Sequence, residues 1–248
     1  MNVSHSERKE NLFAFPNQRN VNEVNNTNFT NNMKDIAIYG AGGFGREIAC
    51  LIRLINESEQ EMKWNFIGFL DDNEALWGTE NTHGKILGGA DWLNQYDKPL
   101  AVAIAVGSPG AVTAIVGKIN NPKVEYPNLY APSVTFLDKD TLKIGQGNIF
   151  CTNCFISCNV TIGNFNLFNG YIPIGHDAKI GDYNVVMPSC NISGGVVLGN
   201  GNFLGVQSVV LQYIKIGNNT RIGANSVIMR KTKDGYLYMG NPAKRMSL

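Results

Sequence analysis

At 248 residues the chain can form one large domain or two small ones, and 44% apolar against 17% charged residues excludes disorder of the whole. A formal net charge of +1 gives no field that would gather nucleic acid. No apolar run nears the ~18 residues of a membrane span and the N-terminus lacks the apolar core of a secretory signal, so the expected compartment is cytoplasmic and the five cysteines are expected as free thiols.

Residues 1–32 are polar, asparagine-rich and aperiodic, and read as a flexible leader. From Lys34 the pattern changes. Ile36-Ala37-Ile38-Tyr39 is a short apolar strand that runs into Gly40-Ala41-Gly42-Gly43-Phe44-Gly45, and Arg46 to Ile52 reads as a helix. A second strand over Asn65 to Leu70 ends in Asp71-Asp72-Asn73. A third, Leu100 to Val106, ends at Gly107, with a helix from about Ala111 to Ile119. Alternating helices and near-continuous apolar strands imply a small parallel α/β sheet over 33–128, with its ligand edge at the strand C-termini. The glycine spacing alone is a weak dinucleotide signal. The acid of a dinucleotide fold is expected about 20 residues on, Asp71-Asp72 comes later, and the domain is too short for six strands. A Rossmann-like half-domain suits one nucleotide, so a nucleotide-sugar is favoured over NAD. The turn amides would meet the pyrophosphate and Asp71-Asp72 the sugar or base, at an edge formed by Gly42 to Gly45, Asp71-Asp72 and Gly107.

From about Leu129 helices vanish. Stepping by six from Ile144 to Ile228 meets a large apolar residue every time, often followed by glycine. Six residues make one flat strand and one corner, and three faces make a triangular coil of eighteen. The apolar residues point to the axis and stack on their counterparts one coil on, as in a parallel β-helix. Glycine and asparagine are expected at the corners, where unusual φ is needed. The domain spans 129–248, with a strand and turn over Gly235 to Lys244 as its cap.

The repeat register sorts the chemical candidates. His83 lies in a polar loop with no expected role. His176 is the third residue of its hexad, at an outer corner rather than in the core. Such a residue alone is a solvated surface histidine. Here a rigid coil holds the ring, and Asp177 adjoins it to orient the imidazole and raise its basicity. One coil on, Gly194 leaves space for a small group and an amide donor, a pairing that fits general-base acyl transfer with an oxyanion contact. Cys151, Cys154 and Cys158 occupy the second, fifth and third places of successive hexads. Those places point different ways, so no metal site is expected.

Taken together, Ile38 to Gly45, Phe69-Leu70-Asp71-Asp72-Asn73, Ile104-Ala105-Val106-Gly107, Ile174 to Asp182 and Gly240-Asn241-Pro242-Ala243-Lys244 resemble the sugar O-acyltransferases of the sialic-acid acetyltransferase type. They are equally similar to the related acetyltransferases that act on nucleotide-linked amino sugars. The resemblance covers residues 34 to 246. It implies a left-handed β-helix and a homotrimer with active sites between neighbouring helices. It implies acetyl-CoA as co-substrate, lying near Val206 and Ala224, and a sugar nucleotide that contacts Gly42, Gly43, Phe44, Asp71, Asp72 and Gly107. His176 would be the general base, Asp177 would tune it, and Gly194 would supply the oxyanion amide. Phe44 stands where the family usually carries a histidine in the turn, and Val185 where a second histidine touches the coenzyme.

The function implied is transfer of an acetyl group from acetyl-CoA to an amine or hydroxyl of a nucleotide-linked or free sugar, in surface polysaccharide or glycan synthesis. The transfer would be direct, with no acyl-enzyme. The replacements at Phe44 and Val185 motivate a second class, a trimer that binds sugar nucleotides or acts as a scaffold without turnover. An NAD-dependent oxidoreductase with a β-helix appendage is a distant third.

Overall fold

The computed structural model describes residues 33–58 and 63–246; the leader expected over 1–32 lies outside them. The first part is an α/β layer: β1 Lys34–Tyr39, α1 Gly43–Ser58, β2 Trp64–Leu70, β3 Glu80–Asn81, β4 Gly84–Gly88, α2 Ala90–Gln95, β5 Leu100–Ile104, α3 Pro109–Lys118 and β6 Val124–Glu125. The sheet order is β3-β4-β2-β1-β5-β6, parallel except for the β3–β4 hairpin. The apolar strands β1 and β5 are buried at the centre, as near-continuous hydrophobic runs require. The hairpin, β6 and α2 add to the three strands and two helices legible in the sequence. The expectation that the region is too short for six strands is corrected: β3 and β6 span two residues each, and strands that short fit six into its length.

The second part is a left-handed parallel β-helix. Two-residue strands pair in parallel with those one coil on, as Ile156 does with Ile174 and Ile162 with Ile180. The coil begins at Leu129–Tyr130 and ends in Leu237–Gly240, which pairs antiparallel with Ala243–Met246 as a cap. Its axis is filled by the expected residues, with Phe150 and Phe168 stacked at 4.5 Å. We call the face of Phe150, Phe168, Val186, Leu204 and Ile222 the first, that of Ile156, Ile174, Ile192, Val210 and Ile228 the second, and that of Ile144, Ile162, Ile180, Leu198 and Ile216 the third.

The corners differ from expectation. Every sixth residue from Gly147 to Asn225 has φ between 51° and 69°, and these include Phe165, Tyr171, Tyr183, Gln207 and Tyr213 besides glycine and asparagine. The left-handed conformation costs each non-glycine about 1 kcal/mol. It is offset where the residue's N–H donates to the preceding coil, as Asp177 does to Cys158 O at 3.1 Å. The glycines after the apolar residues serve close approach instead: a Cβ at Gly181 would lie 2.1 Å from Asn200 Oδ1.

Inside the edge that follows the third face runs a column of buried side chains one coil apart, Asn148, Asn166, Asn184, Asn202 and Thr220. Asn166 donates from Nδ2 to Asn148 Oδ1 (3.0 Å) and Gly181 O (2.8 Å), and its Oδ1 accepts from Asn184 N and Nδ2 (both 2.9 Å). A buried amide can replace apolar filling only when so satisfied. Asn166→Ala strands the Asn184 amide and Gly181 carbonyl, and should cost about 2–4 kcal/mol. A thermal melt followed by circular dichroism would show it, and an unchanged midpoint would refute this role for the column.

The two parts share one apolar layer. Ile48, Leu51, Ile52 and Ile55 of α1 belong to a single buried cluster with Leu129, Ile149, Leu167 and Val185, the outward residues of the first face. Val185 is 1% exposed there. The placement of Val185 against a coenzyme is thereby corrected: the α/β layer covers this face of the coil, and its side chain reaches no surface.

Candidate active site

His176 and Asp177 stand at the edge after the second face. The ring is held by its neighbour, with His176 Nδ1 2.8 Å from Asp177 Oδ2. An ionised carboxylate only accepts, so Nδ1 carries the hydrogen and Nε2 of the neutral ring is the free base. The hydrogen bond from His176 holds the Asp177 carboxyl below the usual carboxylate range. Asp177 sits in the left-handed region at φ 58°, which aspartate tolerates better than most residues.

Gly194 lies under the ring. A Cβ there would fall 2.5 Å from His176 Nε2 and 2.8 Å from Cε1, so only glycine leaves room for this imidazole. The Gly194 amide is also unpaired among the described residues. On the edge after the third face, each third-place amide donates to a side chain one coil on. Gln146 N donates to Asn164 Oδ1 at 3.0 Å, Asp182 N to Asn200 Oδ1 at 2.8 Å and Asn200 N to Asn218 Oδ1 at 2.9 Å. The His176 edge lacks that ladder throughout: among the described residues the N–H groups of Cys158, His176, Gly194 and Gln212 have no acceptor. A Cβ at Gly175 would sit 2.4 Å from Gly194 N, so a second glycine keeps it clear. A free ring nitrogen and an unpaired amide thus lie one coil step apart on a rigid edge, the two kinds of group that general-base acyl transfer with an oxyanion contact uses.

The nucleotide edge is built by β1, β2 and β5. Gly40 has φ +113° and a Cβ there would lie 2.6 Å from Ala105 O, while one at Gly45 would meet Gly40 O; these two glycines shape the turn. Gly42 and Gly107 have nothing within 4 Å of a Cβ and Gly43 only the Arg46 guanidinium at 3.9 Å, so all three present bare backbone at the edge, with Gly42 and Gly43 at the start of α1. Phe44 is half-buried and packs on the shared apolar layer. Asp71 holds the turn: its Oδ2 accepts from Ala41 N and its Oδ1 from Asn73 N, both at 2.9 Å. Asp72 accepts from the Tyr39 hydroxyl and from Lys118 Nζ at 2.9 Å. The Tyr39 hydrogen bond, with Lys118 adding, holds the Asp72 carboxyl low; burial, with Asp72 next to it, pushes the Tyr39 phenol up. Neither Tyr39 nor Lys118 was legible as a site residue, since only the fold brings α3 to the end of β1.

Val206 and Ala224 lie exposed at the edge after the first face, in successive coils. That is a different edge of the prism from His176 and Gly194, so one chain does not bring the two sets together. The clustered thiols do not converge: Cys154 is buried with Sγ 3.7 Å from Phe168 O, and Cys151 and Cys158 are half-buried on successive edges. Among the described residues no group of three His, Cys, Asp or Glu is arranged to hold a metal. No helix of the described residues is long and apolar enough to cross a membrane.

Residues 35–118 match the PglD N-terminal domain family, and residues 195–230 match the bacterial transferase hexapeptide family of six repeats. A comparison with curated proteins finds no match. Among solved structures, WeeI from Acinetobacter baumannii AYE is 27% identical, with 86% of this chain and 100% of that chain covered and a TM-score of 0.76. The acetyltransferase domain of PglB from Neisseria gonorrhoeae FA1090, in complex with acetyl coenzyme A, is 24% identical over 87% of this chain and 100% of that chain, at TM-score 0.76. A variant of perosamine N-acetyltransferase from Caulobacter crescentus, in complex with CoA and GDP-perosamine, is 22% identical over 86% and 97%, at TM-score 0.75. The chain therefore joins a PglD N-terminal domain to a hexapeptide-repeat β-helix, the two-part fold it has in common with these structures.

Proposed function

We propose that the chain is an acetyl-CoA-dependent acetyltransferase whose acceptor is the amine of a nucleotide-linked sugar, with His176 as general base. The observation that carries this reading is the His176 ring, fixed by Asp177 through Nδ1 and standing over bare Gly194 beside an unpaired amide. Nε2 takes the proton from the acceptor nitrogen as that nitrogen attacks the thioester carbonyl. The Gly194 N–H meets the oxyanion that forms, and the coenzyme thiolate leaves. No nucleophilic side chain is needed. Gly42, Gly43 and Gly107 offer the bare edge for the nucleotide, while Asp71 and Asp72, each already hydrogen-bonded within the protein, shape it. Val206 and Ala224 of a neighbouring copy would line the coenzyme's path. Since they lie on another edge than His176, the complete site needs a homotrimer. The amine acceptor is supported by the perosamine N-acetyltransferase among the similar structures. The product would serve glycan assembly in the cytoplasm.

The burial of Val185 and the packing of Phe44 favour weighing a second reading, a trimer that binds sugar nucleotides without turnover. Calorimetric titration with acetyl-CoA separates the two: the enzyme binds it saturably, and absence of binding would leave only the scaffold. Asp177→Asn keeps the left-handed backbone but removes the charge-assisted bond to Nδ1. It should lower kcat about tenfold with little change in acetyl-CoA binding. An unchanged kcat would remove Asp177 from the mechanism.

A further inference from the structure

Cys50, on α1, and His83, in the turn between β3 and β4, meet on the face of the α/β layer formed by α1, β2 and that hairpin. Cys50 Sγ is 3.3 Å from His83 Nε2, and His83 Nδ1 is 2.8 Å from Thr82 Oγ1, so the ring is held from its far side. The pair opens on a groove of about 570 Å³, with Ile52, Trp64 and Phe66 in its wall and the Arg53 guanidinium at its rim. His83 has no part in the acetyl-transfer site, and a polar hairpin turn gave it no role in the sequence.

The other thiols are set apart by their surroundings. Cys154 and Cys190 are buried, and burial pushes both thiols up. Burial, with Cys154 nearby, pushes Cys151 up to about 12. Cys158 is half-exposed, but among the described residues its Sγ is paired with the Ser157 hydroxyl at 4.0 Å and with no imidazole. Among the described residues only Cys50 combines access to solvent with a base in contact with its sulfur, the two conditions for a nucleophilic thiol.

We propose that Cys50 and His83 form a thiol-modification site that takes low-molecular-weight disulfides. His83 Nε2 accepts the Cys50 proton, and the thiolate attacks one sulfur of the incoming disulfide. The S–S bond of that disulfide breaks, a new one forms to Cys50, and the departing thiolate takes the proton back from His83. The apolar wall receives the body of the adduct, and Arg53, now 3.7 Å from the exposed Glu57 carboxylate, turns to the carboxylate that small peptide thiols carry.

The test incubates the full chain with oxidised glutathione at neutral pH and follows each cysteine's mixed disulfide by peptide mass spectrometry. Cys50 should react at least about fivefold faster than Cys158, and His83→Gln should slow Cys50 about tenfold while leaving Cys158 unchanged. The unchanged Cys158 rate reports that the variant is folded. A Cys50 rate no greater than that of Cys158, or one within twofold of the wild type in His83→Gln, overturns the proposal.

Discussion

Replacing His176 with alanine should lower kcat/KM for acetyl transfer by about 10²–10⁴-fold, the usual worth of a positioned general base. The loss should fall mainly on kcat, because the ring acts on the proton that moves and not on the bulk of either substrate. Stability should change by no more than about 0.5 kcal/mol. The His176 side chain is 46% exposed, outside the stacked core, and its one side-chain partner, Asp177, is itself 57% exposed. Steady-state kinetics beside a thermal melt checks both statements. Full activity in a folded His176→Ala would rule the ring out as the base.

The second large effect is expected from the smallest substitution. Gly194→Ala adds a methyl where a Cβ would lie 2.5 Å from His176 Nε2 and 2.8 Å from its Cε1. Gly194 is not among the left-handed glycines, so its backbone can accept alanine and the strain falls on the ring. Displacing a catalytic group by about 1 Å costs on the order of 10²-fold. Because the methyl acts through the ring, Gly194→Ala combined with His176→Ala should be scarcely worse than His176→Ala alone. Additive losses would show that Gly194 works independently of the imidazole. Gly195 next door is a contrasting case: it has φ +65° and a Cβ there would strike the Tyr213 ring at 2.3 Å, so its substitution strains the coil itself.

The β-helix was legible because its core obeys one rule. Each sixth residue must fill the axis, and aliphatic side chains do so wherever the chain goes next. The corners were not legible by residue type. Tyr171, Tyr183 and Gln207 take the left-handed conformation alongside asparagine and glycine. Backbone hydrogen bonds from the neighbouring coil, such as Tyr183 N to Asn164 O at 2.9 Å, hold it in place of intrinsic preference. The asparagine column shows only when the fifth place is read at a step of eighteen, since the other two edges fill it with residues such as Cys154 and Val160.

His176 and Gly194 could be found because a single coil step relates them. Val185 could not be placed, because a repeat rule assigns outward positions to solvent and knows nothing of the α/β layer that covers the first face. The roles of Tyr39 and Lys118 beside Asp72, and of His83 beside Cys50, depend on contacts 33 to 46 residues apart in sequence. Local pattern carries no trace of such pairs. The hairpin of β3 and β4 is too short and too polar to leave a period-two signal.

The most direct test of the account is release of coenzyme thiol from acetyl-CoA by the purified chain with a panel of UDP-, GDP-, dTDP- and CMP-linked sugars, with and without a free amine. The account predicts release with at least one amino-sugar nucleotide, matched mole for mole by an N-acetylated product and lost in His176→Ala. Release with none of the amino-sugar nucleotides, or equal release and product in His176→Ala, would contradict it.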